Sequence, residues 1–240
     1  MKKAALVAAG FLFTLIGTAQ EKKTVVAGNG HTAKESRKIA TFGKVTVNGN
    51  YEVMLVSGEP GTIKLEGEDN LLPLITTEVK NGTLYIDSKD GQFLKPSRNK
   101  AITIKVPVQS VTEVVLNGSG TINVRKRIKN DIRAVVDGSG SINLTASNTN
   151  VTAWVLGSGE INIEGRTQTL DCRVIGSGTV IATSLEADNV SAIVSGCGDV
   201  KANSIKSMKG RISGSGNIAF AGEPAETDLK HSGTGKFSRY

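Results

Sequence analysis

Residues 118–124 read Gly-Ser-Gly-Thr-Ile-Asn-Val, residues 138–144 Gly-Ser-Gly-Ser-Ile-Asn-Leu, and residues 157–163 Gly-Ser-Gly-Glu-Ile-Asn-Ile. The phrase recurs with opening glycines at Gly118, Gly138, Gly157, Gly176, Gly196, Gly214 and Gly233, at intervals of 20, 19, 19, 20, 18 and 19 residues. A period of this size marks a solenoid, in which one repeat is one turn of a coil and cannot bury its apolar face alone.

With each opening glycine set to zero, columns emerge. Four residues before it stand Val114, Ala134, Ala153, Cys172, Ala192 and Gly210, nearly all small. Two before it stand Leu116, Val136, Val155, Val174, Val194 and Ile212; four after it come Ile122, Ile142, Ile161, Val180, Val200, Ile218 and Phe237. Alternate apolar positions on both sides of the glycines define two strands per turn, each with one buried face. Paired glycines let the backbone bend and approach its neighbour where a side chain would collide. The pattern predicts an all-β, right-handed parallel β-helix of about 19 residues per turn, the hand following the rule for parallel crossovers. Leu185 and Ile205 are the expected buried side chains of the more variable return segment.

The first half reads as a degenerate form of the same coil. Val45, Val47, Gly49, Val53 and Leu55 fall at minus four, minus two, zero, plus four and plus six, and Ile63, Leu65 and Gly67 restart the pattern. Asn81-Gly82 between strand-like flanks signals a hairpin. Residues 39–240 are therefore expected to form one domain, with 39–107 degenerate and seven Gly-x-Gly turns over 108–240. Residues 20–38 are polar and expected as a mobile leader. Before them, Lys2 and Lys3 precede an apolar run from Ala4 to Ile16 and a small-residue Gly17-Thr18-Ala19, the layout of a secretory signal peptide over residues 1–19. No later stretch is apolar for long enough to span a bilayer as a helix. The expected location is exported, in the periplasm or on the cell surface.

Removing residues 1–19 takes away Lys2 and Lys3 and no acid, so the net charge falls from +7 to +5. Nucleic-acid binding would need a basic stripe interleaved with aromatics. The run Arg125-Lys126-Arg127 with Lys129 has no aromatic neighbour and reads as a solvated loop. Cys172 and Cys197 sit at different column positions, five strand residues or roughly 16 Å apart on neighbouring turns. A disulfide needs Cα atoms within about 7 Å, so two free thiols are expected.

These residues resemble a bacterial family of exported proteins, the putative auto-transporter adhesin head, or GIN, domain. The likeness rests on Gly118 to Asn123, Gly138 to Asn143 and Gly157 to Asn162, on the Val45-to-Leu55 unit, and on Asn70-Leu71-Leu72 leading to Leu84-Tyr85-Ile86. It implies a β-helix-like fold, an envelope location and no established activity, and it brings no catalytic residues.

The residues themselves offer little chemistry. The Gly-Ser-Gly corners lead into strands, whereas phosphate loops lead into helices. His31 and His231 are far apart, so no transition-metal site or cofactor is expected. Glu66, Glu68 and Asp69 lack any calcium-loop spacing and read as a solvated turn. Glu160 and Asp199 share a column two turns apart, roughly 10 Å, a spacing that suits an inverting glycosidase. Outward positions before the glycines are less ordinary: Trp154, Leu156, Ile175 and Ile193 surround Arg173 in an apolar patch of the kind that marks contact with something. Its bland occupant is the amino-terminal segment or a second copy of the chain, as a homodimer. Its functional reading is a platform for a glycan or envelope protein, with Trp154 stacking on a sugar ring and Arg173 hydrogen-bonding. The function expected overall is a non-enzymatic, exported interaction or adhesion module presenting stacked side-chain columns. A polysaccharide-acting β-helix enzyme and a periplasmic scaffold are the alternatives.

Overall fold

The computed structural model describes residues 24–240, and the expected signal peptide lies outside them. Its amino-terminal half holds β1 (Val25–Ala27), β2 (Thr32–Lys38), β3 (Lys44–Asn48), β4 (Glu52–Ser57), β5 (Thr62–Glu68), β6 (Ile75–Lys80), β7 (Thr83–Ser88), β8 (Phe93–Lys95) and β9 (Thr103–Val108). The second half holds β10 (Glu113–Gly118), β11 (Thr121–Ile128), β12 (Ile132–Gly138), β13 (Ser141–Gly157), β14 (Glu160–Gly176), β15 (Thr179–Gly196), β16 (Asp199–Gly214), β17 (Asn217–Ala221), β18 (Glu226–Gly233) and β19 (Phe237–Arg239).

From β10 onward the strands stack in parallel as a β-solenoid, and the seven opening glycines pair one on the next. Columns in the sequence are thus columns in space. Leu116, Val136, Val155, Val174 and Val194 are wholly buried, as are Ile122, Ile142, Ile161, Val180, Val200 and Ile218. The small column before the glycines makes room for large side chains across the coil. At Gly210 an added Cβ would stand 2.6 Å from Phe237 Cε1 and 2.8 Å from Leu229 Cδ2, so the last turn fills the space that a missing side chain leaves.

The return segment follows expectation at Leu185, which is wholly buried, and departs from it at Ile205, which is 40% exposed. The turn from Gly196 to Gly214 has only 18 residues, and the β15–β16 register slips between Ala182/Ala202 and Glu186/Asn203. Ser204 takes the inward place instead, and its hydroxyl donates to the Ser207 carbonyl at 2.7 Å. A buried hydroxyl bonded in this way avoids the desolvation cost of an orphaned polar group.

The unit at Gly49 lies where its columns place it. Val45 pairs with Val114, Val47 with Leu116, Val53 with Ile122 and Leu55 with Val124. The turn beyond it is not the next in the chain. Strands β7 and β9 flank β3 and β4 in parallel, with Leu84 beside Val45 and Ile104 beside Val53. Strand β5, expected to open a further turn through Ile63, Leu65 and Gly67, runs antiparallel to β2 and β9. Alternation reports which face of a strand is buried, not the direction in which it pairs. Asn81 and Gly82 turn the β6–β7 hairpin with φ of 50° and 72°, as a two-residue turn requires.

The segment expected as a mobile leader is structured across its described part. β1 pairs in parallel with β8, and β2 pairs with β5 over seven residues. The inward side chains of β2 include Glu35 and Arg37, so no apolar alternation announces it. Arg37 donates to the Leu72 and Ile75 carbonyls at 2.8 and 2.6 Å and grips Glu35 with two bonds of 2.9 and 3.0 Å. The Arg37 hydrogen bond holds the Glu35 carboxyl below its ordinary value, with the guanidinium charge assisting against desolvation.

A second clasp centres on Glu68, which is 1% exposed. Its carboxylate accepts from the Gly30 amide at 2.5 Å, the Ser97 amide at 2.8 Å and the Ser97 hydroxyl at 2.5 Å, tying three segments together. The Ser97 hydroxyl is the main cause that keeps this carboxyl below its usual range, although burial opposes it. A depressed folded value contributes stability above the unfolded value of about 4.3, which is lost as pH falls through the folded value. Acid is therefore expected to release Val25–His31 before the coil opens, and Glu68→Gln to loosen the same segment at neutral pH. Amide hydrogen exchange across 25–31 checks both; equal protection at neutral and acid pH contradicts the clasp.

Candidate functional site

Along the coil, side chains three before the glycines form one outward column and those one before form another. Trp154 pairs with Arg173 and Leu156 with Ile175 across β13 and β14; Arg173 pairs with Ile193 across β14 and β15. All five residues of the expected patch thus adjoin one another on one sheet face, at a strand spacing of about 4.8 Å. Ile175 is 38% exposed, Arg173 is exposed, and Trp154, Leu156 and Ile193 are half-buried.

The indole is not open on this face. The Arg133 guanidinium lies 3.9 Å from the Trp154 ring centroid, and Arg173 stands at 5.9 Å. Stacking of this kind attracts a cation to the negative face of the ring. Val135, beside Trp154 on the outer face, is buried, which fits an indole lying along the sheet. Arg133 projects from the outward position five before its glycine, a column whose side chains face the same way as Trp154. That alternation was the available signal for it.

Three arginines share this face, and two are neutralised. Arg133 reaches Glu113 at 3.5 Å and Arg211 pairs with Asp228, whereas Arg173 has no ion pair among the described residues. Asp171 lies two residues earlier on the same strand face and leaves Arg173 unbridged. The patch is therefore an open sheet surface with exposed isoleucine, a shielded indole and one uncompensated cation.

Glu160, Thr179 and Asp199 share a column, as expected. Each carboxylate is already engaged: Asn162 donates to Glu160 at 2.6 Å, and the Asn217 backbone and side-chain amides both donate to Asp199 at 3.0 Å. Asparagines at neighbouring positions form a ladder. Asn162 donates to Asn143 and Asn143 to Asn123, both at 3.0 Å. Identical amides in register can each donate to the turn before, a property of stacking that one turn of sequence does not display.

Glu66, Glu68 and Asp69 take separate partners: Lys34 at 3.1 Å, the Gly30–Ser97 clasp, and Asn29 at 2.6 Å. Among the described residues no group of three or more His, Cys, Asp or Glu is placed to hold a metal ion. Both cysteines are free: Cys172 is buried, which pushes its thiol far above the ordinary range, and Cys197 is exposed on a glycine corner. No helix among the described residues is long and apolar enough to cross a membrane.

No curated protein sequence matches the chain. Among solved structures it is similar in fold to a "putative adhesin" from Bacteroides fragilis, with a TM-score of 0.80 and 21% identity over 90% of this chain and 100% of that one. It is also similar to a "putative lipid binding protein" from Parabacteroides distasonis, with a TM-score of 0.73 and 21% identity over 90% and 100% of the two chains. A "putative adhesin" from Parabacteroides merdae follows at TM-score 0.68 and 18% identity, over 90% and 99%. Identities this low speak for the shared coil alone. The Gly-x-Gly coil itself matches a family over residues 41–224, and the chain belongs to that family, described as "Putative auto-transporter adhesin, head GIN domain".

Proposed function

We propose that this chain is a non-enzymatic, exported interaction or adhesion module of the cell envelope. Its contact face is the outer sheet surface at Trp154, Leu156, Arg173, Ile175 and Ile193. The observation that carries this reading is Arg173, without an ion pair among the described residues, set beside the exposed Ile175 and the half-buried Leu156 and Ile193 on a stacked coil. An unpaired guanidinium on such a surface gains from an external carboxylate or carbonyl, and the isoleucines gain from being covered. Family membership supports the reading, since its name and those of two solved relatives speak of adhesins.

Within this proposal Trp154 takes a different part from a sugar-stacking platform. With Arg133 already against the ring, the indole serves as the base that orients Arg133 and Arg173, and Ile175 with Leu156 supplies the apolar contact. The matching partner is an envelope protein or polymer that offers an acidic group beside an apolar edge. Retention of the purified protein on isolated envelope fractions tests this. Ile175→Asp is expected to lower retention about tenfold, a typical loss for one central contact. Arg173→Ala is expected to lower it as well. Equal retention of the wild type and both variants, or turnover of a polysaccharide that is lost in Glu160→Gln, contradicts the proposal.

A further inference from the structure

The glycine ridge of the coil ends at Gly49. Beyond it, the turn formed by β7 and β9 has no Gly-x-Gly corner; the chain leaves between them through residues 89–102, carrying β8. Where the ridge meets this excursion there is a cavity of about 520 Å³. Phe93, 45% exposed, is among the lining residues. The lining also holds a run of polar side chains on three stacked strands. Asn117 donates to Asn48 at 2.7 Å, and Asn48 donates to Asp87 at 2.7 Å. The Ser88 amide donates to the other Asp87 oxygen at 2.7 Å. Gln92 also lines the cavity, and its side-chain carbonyl oxygen is buried without a hydrogen-bond donor.

We infer that this cavity is a binding site for a neutral saccharide, separate from the contact face at Trp154. A sugar ring has an apolar face of C–H groups with partial positive charge, which suits the negative face of an exposed phenyl ring. Its hydroxyls both donate and accept, and they are matched by amides that offer both functions. The Asn117–Asn48–Asp87 chain is polarised in one direction toward the carboxylate, which fixes each amide's orientation before a ligand arrives. Asp87 is the one ionisable group lining the cavity, so an acidic saccharide meets like charge and a neutral one does not. The cavity is of the size that small-ligand sites occupy. Beneath it, Gly49 leaves room for the Tyr51 ring, which an added Cβ would meet at 2.9 Å. Burial, with help from the Asp87 charge, pushes the Tyr51 phenol up to about 12.

Phe93 also borders a second cavity of about 620 Å³ that carries Lys95 and Lys100. Asn117 lines only the first, so Asn117→Ala is the decisive variant. Ligand-observed NMR with methyl mannoside, cellobiose and diacetylchitobiose, and with digalacturonate as the acidic probe, tests the site. At least one neutral sugar is expected to bind, and Phe93→Ala and Asn117→Ala each to weaken it about tenfold. Ile175→Asp is expected to leave this binding unchanged, which separates the site from the proposed contact face. Three outcomes overturn the inference: no neutral sugar bound at about 10 mM, preference for digalacturonate, or binding indifferent to Asn117→Ala in a folded variant.

Discussion

Gly157→Ala is expected to destabilise the coil by about 3 kcal/mol or more, from backbone strain of about 1–3 kcal/mol and forced overpacking of similar size. Gly157 has φ of +104°, in the region that side chains rarely occupy, and its Cβ would stand 2.7 Å from the Gly138 carbonyl oxygen. That neighbour is backbone and cannot rotate away. The same carbonyl accepts the Ser158 amide at 2.9 Å, so relieving the contact separates the turns and loosens a ladder bond. Because the turns of a solenoid are stabilised by their neighbours, damage in the middle weakens both halves. Gly43→Ala is the control: nothing lies within 4 Å of a Cβ there and its φ is ordinary, so the effect should stay within about 0.5 kcal/mol. Denaturant unfolding of the two variants makes the comparison, and similar midpoints would refute the ridge argument.

Leu116→Ala is expected to cost about 3–5 kcal/mol, the range for truncating a buried leucine. Leu116 is wholly buried, and its Cδ2 fills the space below Gly140, 2.6 Å from where a Cβ would be. Its removal leaves a void bounded by backbone that is pinned by the glycine ladder and cannot collapse into it. Ile205→Ala, by contrast, removes the same number of carbons from an exposed position and should cost about 0.5 kcal/mol or less. Thermal unfolding of the two variants checks the contrast. It also separates the two residues by packing, since both are apolar and both are β-strand residues.

These cases show what the sequence makes legible. Leu116 stands in a column repeated turn after turn, and repetition turns a weak local pattern into a firm statement about burial. Ile205 stands in the return segment, where turn lengths vary and register slips, so one apolar residue carries no such support. Strand β2 is not legible in the sequence because Arg37 and Glu35 occupy its inward side and satisfy each other and the Leu72 and Ile75 carbonyls. The placement of β7 and β9 beyond β3 and β4 depends on long-range pairing that no local spacing encodes. At the candidate site, all five patch residues were readable from alternation alone. The cover on Trp154 was not, because it depends on Arg133 reaching across from the neighbouring turn. The Asn117–Asn48–Asp87 chain was hidden for the same reason: its members are 69 and 39 residues apart and meet only through the stacking order.

The claim that the Trp154 face is the contact face is tested most directly by thiol labelling in the cells that make the protein. Ile175→Cys and Ile205→Cys are each placed in a Cys197→Ser background, with Cys172 left in the core where it does not react. In the dilute purified protein both positions should label alike, since both side chains are exposed. In cells the account predicts that position 205 labels and position 175 is protected by its partner. Equal labelling of the two positions in cells would contradict it.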